Sequence, residues 1–172
     1  MRLISNAPFW LPFWVMLASE AAIGGALISE YVFGYHPCVL CIYQRIPYAI
    51  LIGLGMIGLL LCPRKSCAFK AFIVVAFLLF IGDGAIAIFH VGVEQKWWPG
   101  TDGCTGGAPA DSIEALRAQI MAAPVARCDE PDFYFLGFTM AAWNIVYAFG
   151  CAFMVLLHSY LYRKSNANNE NI

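Results

Sequence analysis

The sequence predicts an all-α membrane protein: a bundle of four transmembrane helices, with one long outer loop that contains a short surface helix. Three observations lead there. Of 172 residues, 61% are hydrophobic and only 12% charged, with a mean hydropathy of +0.70; a soluble domain carries about a quarter charged residues. Four apolar stretches each approach the ~20 residues that a helix needs to cross ~30 Å of hydrocarbon. Basic residues cluster in three segments that four spans would place on one side of a bilayer. The net charge of -1 gives no footprint for nucleic acid. With so much sequence committed to the bilayer, residues 1–172 read as a single integral membrane domain.

The spans fall at about 11–33, 42–62, 71–89 and 135–161. The first carries Glu20 and Glu30, which, with its length and the three spans behind it, argues for a retained helix over a cleaved secretory signal. The second is short. The third contains Asp83, and the fourth lies in the uncharged run from Phe133 to Tyr162. Arg2, then Arg64, Lys65 and Lys70, then Arg163 and Lys164 assign residues 1–10, 63–70 and 162–172 to the cytoplasm. Loops 34–41 and 90–134 then face outward. In the longer one, "DSIEALRAQIMAAP" offers Asp111 as a cap with Glu114 three residues on. Ile113, Leu116, Ile120 and Met121 follow at helical spacing, and Pro124 stops the run. It reads as a surface helix lying apolar side down. Trp97 and Trp98 suit an interfacial belt, and the turn residues of "PGTDGCTGGAP" make the surroundings of Cys104 mobile and accessible. The tail "SNANNENI" is polar and disordered in this reading.

Four of the seven cysteines face outward on this topology: Cys38, Cys41, Cys104 and Cys128. Cys38 and Cys41 have the C-x-x-C spacing that redox pairs and zinc sites share. Cys41 falls at the expected start of the second span, where free N–H groups and the helix dipole favour an anion. Arg45 follows one turn later, so its guanidinium can lie beside that sulfur. A helix N-terminus with an adjacent cation is the setting that turns a thiol into a reactive thiolate. An inert staple is the competing reading, and a poor one, since so short a loop removes little entropy from the unfolded chain. Zinc held by the four thiols is another, disfavoured by the neighbouring Arg45. Cys104 and Cys128, 24 residues apart, form either a structural tie for the loop or a labile bridge exposed to a partner. Two outward pairs favour the second, because thiol–disulfide exchange passes oxidation between them.

"PCVLCIYQR", the four-span layout and the later pair Cys104 and Cys128 resemble the disulfide bond formation protein B (DsbB) family of quinone-dependent membrane thiol oxidases. "FHVGVEQKWWPGTDGCTGG" and "RCDEPDFYFLGFTMAAWN" resemble one branch of it, so the likeness covers nearly the whole chain. The resemblance implies a bacterial inner-membrane enzyme, multi-pass, with its redox cysteines and long loop on the periplasmic side. It implies that a Cys104–Cys128 disulfide reoxidises a thioredoxin-fold dithiol oxidase (DsbA-like), with Cys104 forming the mixed disulfide. Cys38–Cys41 then reoxidises that pair and hands two electrons to ubiquinone or menaquinone, so that disulfides form in exported proteins. Cys41 would touch the quinone ring, Arg45 would stabilise the thiolate and the reduced quinone, and His90 would lie near the quinone pocket. A lipid-soluble oxidant also makes chemical sense, since generating strongly oxidising disulfides requires a still stronger acceptor.

Two other readings use the same cysteines. A relative specialised to one client, or of the vitamin K epoxide reductase type, shares the four-helix logic; a thiol-based metal-binding or transport membrane protein would use the sulfurs as ligands. No metal is expected. Cys62 and Cys67 in "CPRKSC" read as reduced cytoplasmic thiols and Cys151 as a small buried residue. Glu20 and Asp83, costly in hydrocarbon, are expected to be hydrogen-bonded between helices, with a proton route as the minor alternative. Glu30 and His36 read as interfacial, and Trp143 and Asn144 as helix packing near the outer face.

Overall fold

Each apolar run forms a helix in the computed structural model, which describes residues 7–61, 67–101, 104, 112–122, 126–131 and 133–170. In hydrocarbon a helix satisfies its own backbone polar groups, so long apolar segments have few alternatives. Helix α1 is Ala7–Tyr31, α2 Val39–Leu61 and α3 Cys67–Glu94. The short α4, Ile113–Ala122, precedes a two-stranded hairpin, β1 Tyr134–Phe135 and β2 Phe138–Thr139, and α5 is Met140–Glu170. Helices α1, α2, α3 and α5 are each long and apolar enough to span a membrane. The protein is therefore the all-α, four-span bundle that the composition predicts.

Helix α3 packs along α2 and α5, and α1 packs along α2 and more lightly on α5. They enclose a core of Leu11, Val15, Tyr48, Leu51, Phe69, Phe72, Ala76, Phe80, Ala152 and Val155. Trp14, Ile57, Leu78, Val146 and Phe153 point outward, exposed. Apolar residues both inside and outside are what lipid allows and water does not. Helices α1 and α2 meet closely at Gly55, where a Cβ would lie 2.8 Å from the Met16 Cβ and 2.9 Å from the Pro12 carbonyl oxygen. Small residues serve membrane helix contacts by this kind of backbone approach.

Several helix ends differ from the expected ones, α5 running on to Glu170 through most of a tail expected to be disordered; three of the shifts have a local reason. Helix α2 opens at Val39, three residues before 42, because the Ile42 N–H donates to the Cys38 carbonyl (3.1 Å) and the Cys41 N–H to the Cys38 sulfur (3.4 Å). Helix α3 runs past 89 to Glu94, where Lys96 in the left-handed region (φ 60) ends it and donates its N–H to the Val93 carbonyl. Helix α5 starts at Met140 and not at 135, since Leu136 (φ 52) and Gly137 (φ 83) turn a hairpin first. The Thr139 hydroxyl then caps α5 by accepting the Ala142 N–H (3.2 Å).

The cap of α4 lies one residue beyond the expected one. The Ser112 hydroxyl accepts the Ala115 N–H (3.1 Å), while Asp111 is outside the described residues. Ile113 and Met121 on this helix are 80% and 83% exposed. Cys62 is also outside the described residues.

The Gly55 contact gives a stability test. Gly55→Ala is expected to cost ~1–3 kcal/mol, the usual penalty for overpacking. It should appear as a lower unfolding midpoint in mixed micelles. Gly53→Ala, on the same helix with nothing within 4 Å of the new Cβ, should leave the midpoint nearly unchanged.

Candidate redox site

Cys38 occupies the N-cap of α2. Its sulfur accepts the N–H of Cys41 at 3.4 Å and stands 3.2 Å from the Cys41 sulfur, so the two are free thiols within hydrogen-bond reach. The partial positive charge of a helix N-terminus acts over its first turn, and here that turn begins at Cys38. The sequence-based expectation placed the anion on Cys41; the groups that would hold negative charge converge on Cys38. The hydrogen bond with Cys41 draws the Cys38 thiol down to about 4, burial opposes it, and a hydrogen bond with His90 lowers it further.

His90 reaches this site from α3. Its Nε2 lies 3.5 Å from the Cys38 sulfur and 3.7 Å from Glu94 Oε1, while Glu94 Oε2 accepts the Thr139 hydroxyl (2.7 Å). Cys104 and Cys128 are joined in a disulfide, and both are buried against Cys38, Leu40 and Val93. The sulfurs of Cys38 and Cys128 and a ring nitrogen of His90 all lie within 4.8 Å of one another. Three such donors resemble a metal site, but the Cys128 sulfur is committed to the disulfide and offers no thiolate. Cys104, expected to be accessible, is 0% exposed. Its N–H donates to the Thr101 carbonyl (2.7 Å), and the apolar cluster encloses its sulfur.

A cavity of about 600 Å³ opens beside these sulfurs, between α1, α2, α3 and α5. Cys38, Cys41, Arg45, His90, Cys128 and Tyr147 line part of it. The volume is that of a small-molecule site, ~300–1,000 Å³. Arg45 shares this cavity with Cys41, but its NH1 group donates to Glu30 Oε2 at 2.6 Å. Its Nε is buried and meets no hydrogen-bond partner among the described residues.

The family model "Disulfide bond formation protein DsbB" matches residues 8–158. The chain belongs to the DsbB family. A "Disulfide bond formation protein B" of Xanthomonas campestris pv. campestris is 30% identical, covering 92% of this chain and 92% of its own. One from Neisseria meningitidis serogroup A is 31% identical over 83% of this chain and 90% of its own. A Rickettsia prowazekii protein is 26% identical over 86% and 85%. As a DsbB family member the chain is a membrane protein of disulfide bond formation, with a cysteine redox centre and a thiol oxidoreductase role.

Within this DsbB framework, the polar residues that the sequence reading left outside the site join it. Glu30, expected to be interfacial, pairs with Arg45. Asp83 and Asn144 are hydrogen-bonded between α3 and α5 (2.8 Å), whereas Glu20, expected to pack likewise, is exposed. Gln44 and Glu94 were missed, although both carry a signal. Gln44 is an uncharged polar residue in an apolar span, and Glu94 lies four residues after His90, on the same helix face. Trp143 donates to the Phe135 carbonyl (2.9 Å) and so braces the hairpin. Exposed His36 lines the cavity rim. Cys151 contacts the apolar core, apart from the four sulfurs.

The lowered Cys38 pKa sets a pH dependence. Because the thiolate fraction falls only as pH drops through about 4, alkylation of Cys38 in reduced protein should stay nearly flat from pH 8 to pH 5. An ordinary thiol, with pKa ~8.5, would slow about tenfold per unit over that range. Rates read by mass spectrometry of the Cys38 peptide check it.

Proposed function

We propose that the protein is a thiol:quinone oxidoreductase of the bacterial inner membrane. It reoxidises a periplasmic thioredoxin-fold dithiol oxidase and stores the electrons on Cys38 and Cys41. The observation that carries this reading is the meeting of both cysteine pairs in one buried cluster, with the Cys38 and Cys128 sulfurs no more than 4.8 Å apart. Thiol–disulfide exchange proceeds by thiolate attack on a disulfide sulfur, and this separation is within reach of small side-chain movements.

A partner thiolate attacks the Cys104 sulfur; the partner–Cys104 bond forms, the Cys104–Cys128 bond breaks, and Cys128 leaves as a thiolate. The partner's second thiolate attacks its own mixed-disulfide sulfur and releases Cys104. Cys128 then attacks Cys38 of an oxidised Cys38–Cys41 pair, and Cys41 leaves as a thiolate. Cys104 attacks Cys128, restores the loop disulfide and releases Cys38. Two electrons end on Cys38 and Cys41, and the resulting bonding, Cys104–Cys128 joined with Cys38 and Cys41 free, is that of the structure. Because Cys104 is enclosed, the first attack requires its loop to lift from the cluster.

A quinone, ubiquinone or menaquinone, would supply the acceptor for two electrons and two protons. The residues present fit such a group: the cavity borders Cys41, and Arg45 on its wall, whose Nε meets no hydrogen-bond partner among the described residues, offers a guanidinium suited to a carbonyl oxygen. Ala21, Ala22, Gly25 and Ala26 make most of its α1 wall small, beside the bulkier Ile23. Glu30 holds the guanidinium in place through NH1, and His90 Nε2 stands 3.5 Å from the Cys38 sulfur. The basic segments described above support a periplasmic position for the cluster.

Purified protein given a reduced thioredoxin-fold dithiol and a soluble ubiquinone analogue tests this reading. Cys41→Ser should abolish quinone reduction while Cys104 still traps the partner as a mixed disulfide. Arg45→Ala should slow quinone turnover about tenfold or more, the worth of one charge-assisted hydrogen bond, and leave partner exchange intact. Equal loss of both steps in Arg45→Ala would overturn the role of Arg45, and quinone reduction by Cys41→Ser would overturn the route.

A further inference from the structure

Behind His90 a line of buried polar side chains crosses the apolar bundle. Gln44 Nε2 meets His90 Nδ1 at 2.9 Å. Asn144 Nδ2 donates to Gln44 Oε1 at 2.8 Å and to Asp83 Oδ2 at 2.8 Å. The Tyr48 hydroxyl donates to Asn144 Oδ1 at 2.6 Å. Asp83 is 0% exposed, and His90 and Gln44 are also buried. Three helices contribute, α2 with Gln44 and Tyr48, α3 with Asp83 and His90, and α5 with Asn144. The proposed electron route uses only the histidine.

Each link has a direction. An unprotonated carboxyl oxygen at Asp83 calls for an N–H, so Asn144 is turned with its amide nitrogen toward Asp83 and its oxygen toward Tyr48, whose hydroxyl donates to it. The second N–H of Asn144 then goes to Gln44, whose oxygen must face it. That orientation leaves the Gln44 amide nitrogen, a donor only, against His90 Nδ1. A ring nitrogen that accepts a hydrogen bond carries no proton, so the proton of the neutral ring sits on Nε2. Nε2 faces the Cys38 sulfur and Glu94 Oε1, two acceptors, which fits the same assignment. Asp83 Oδ1 meets no hydrogen-bond partner among the described residues. A proton held on Oδ1 would leave Oδ2 an acceptor all the same, so the orientation requires only that Oδ2 itself carry no proton.

We infer that Asp83, acting through Asn144 and Gln44, is a positioning residue: the chain fixes the Nε2–H tautomer of His90 and aims its one proton at Cys38. This rests on the proposed role of Cys38 as the exchanging sulfur and adds what keeps that sulfur supplied with a hydrogen bond. A histidine free to carry its proton on Nδ1 would face the thiolate with a lone pair and repel it. The carboxyl buried at mid-span, otherwise a costly residue in hydrocarbon, acquires a purpose in the dithiol's chemistry without being a carrier of protons.

The sequence contains three histidines, so a full-length H36Q/H158Q chain leaves His90 as the single imidazole signal. With that chain reduced, in micelles and at a pH where the ring is neutral, its ¹⁵N spectrum should show a pyrrole-type Nε2 and a pyridine-type Nδ1. A protonated Nδ1 would overturn the inference outright. Gln44→Glu presents a carboxylate to Nδ1 and should move the proton there, or add a second one. Where the proton leaves Nε2, the pH below which Cys38 alkylation falls off should rise by about one unit, as expected for losing a hydrogen bond to a charged group worth about tenfold. Asp83→Asn keeps an acceptor for Asn144 and should retain the Nε2–H pattern, while Asp83→Leu should scramble it. Loss of the pattern in Asp83→Asn would contradict positioning and favour proton transfer. These spectra need no quinone or partner, so they stand or fall separately from the quinone assays.

Discussion

Cys38 stands at the first turn of a membrane-spanning helix, and the chemistry of the site depends on what that placement does to its sulfur. The N-cap position brings a backbone N–H and the helix dipole to it. Cys41 lies on the same turn and adds its thiol, and His90 approaches from the neighbouring helix. A thiol in such surroundings is held as an anion. The loop disulfide packs against it, so nucleophile and electrophile share one apolar enclosure that dilutes neither with water. Low local polarity strengthens each of these hydrogen bonds while making any unmet group costly.

That cost explains how many polar residues the interior contains. A lone Arg45 in the bundle would be unfavourable by several kcal/mol, and a lone Glu30 likewise; together they form an ion pair at the cavity edge. Glu94 is satisfied by Thr139, which also caps α5, so one threonine ties the last turn of α3 to the first turn of α5. Asp83, Asn144, Gln44, Tyr48 and His90 satisfy one another across three helices. Among the described residues the exceptions are two single atoms, Arg45 Nε and Asp83 Oδ1. Arg45 as a whole lines the cavity, where a ligand oxygen would meet its guanidinium.

Much of the architecture is legible in the sequence because lipid leaves helices few alternatives. The four spans of α1, α2, α3 and α5 follow from apolar run length, and the family resemblance follows from "PCVLCIYQR" with the later cysteines. Helix ends are less legible, since they depend on single contacts: the Cys38 cap moved the start of α2 by three residues and with it the helix dipole, from Cys41 to Cys38. The partner of Arg45 was misplaced for a related reason. Spacing along one helix shows that Arg45 can reach Cys41, but a carboxylate 15 residues upstream on α1 is visible only in three dimensions. Asp83 was read correctly as hydrogen-bonded between helices, while its link to the dithiol needs Asn144, 61 residues away. The burial of Cys104 ran against turn-rich flanks, because an apolar cluster decides exposure where local sequence suggests freedom.

The central claim, that Cys38 and Cys128 are the sulfurs through which the two pairs communicate, is tested most directly by leaving them as the only members of the four. A C41S/C104S chain, oxidised mildly and digested, should yield a Cys38–Cys128 disulfide as its main linked peptide by mass spectrometry. Recovery of both residues as free thiols, or of Cys128 bonded elsewhere while Cys38 is alkylated, would contradict the account.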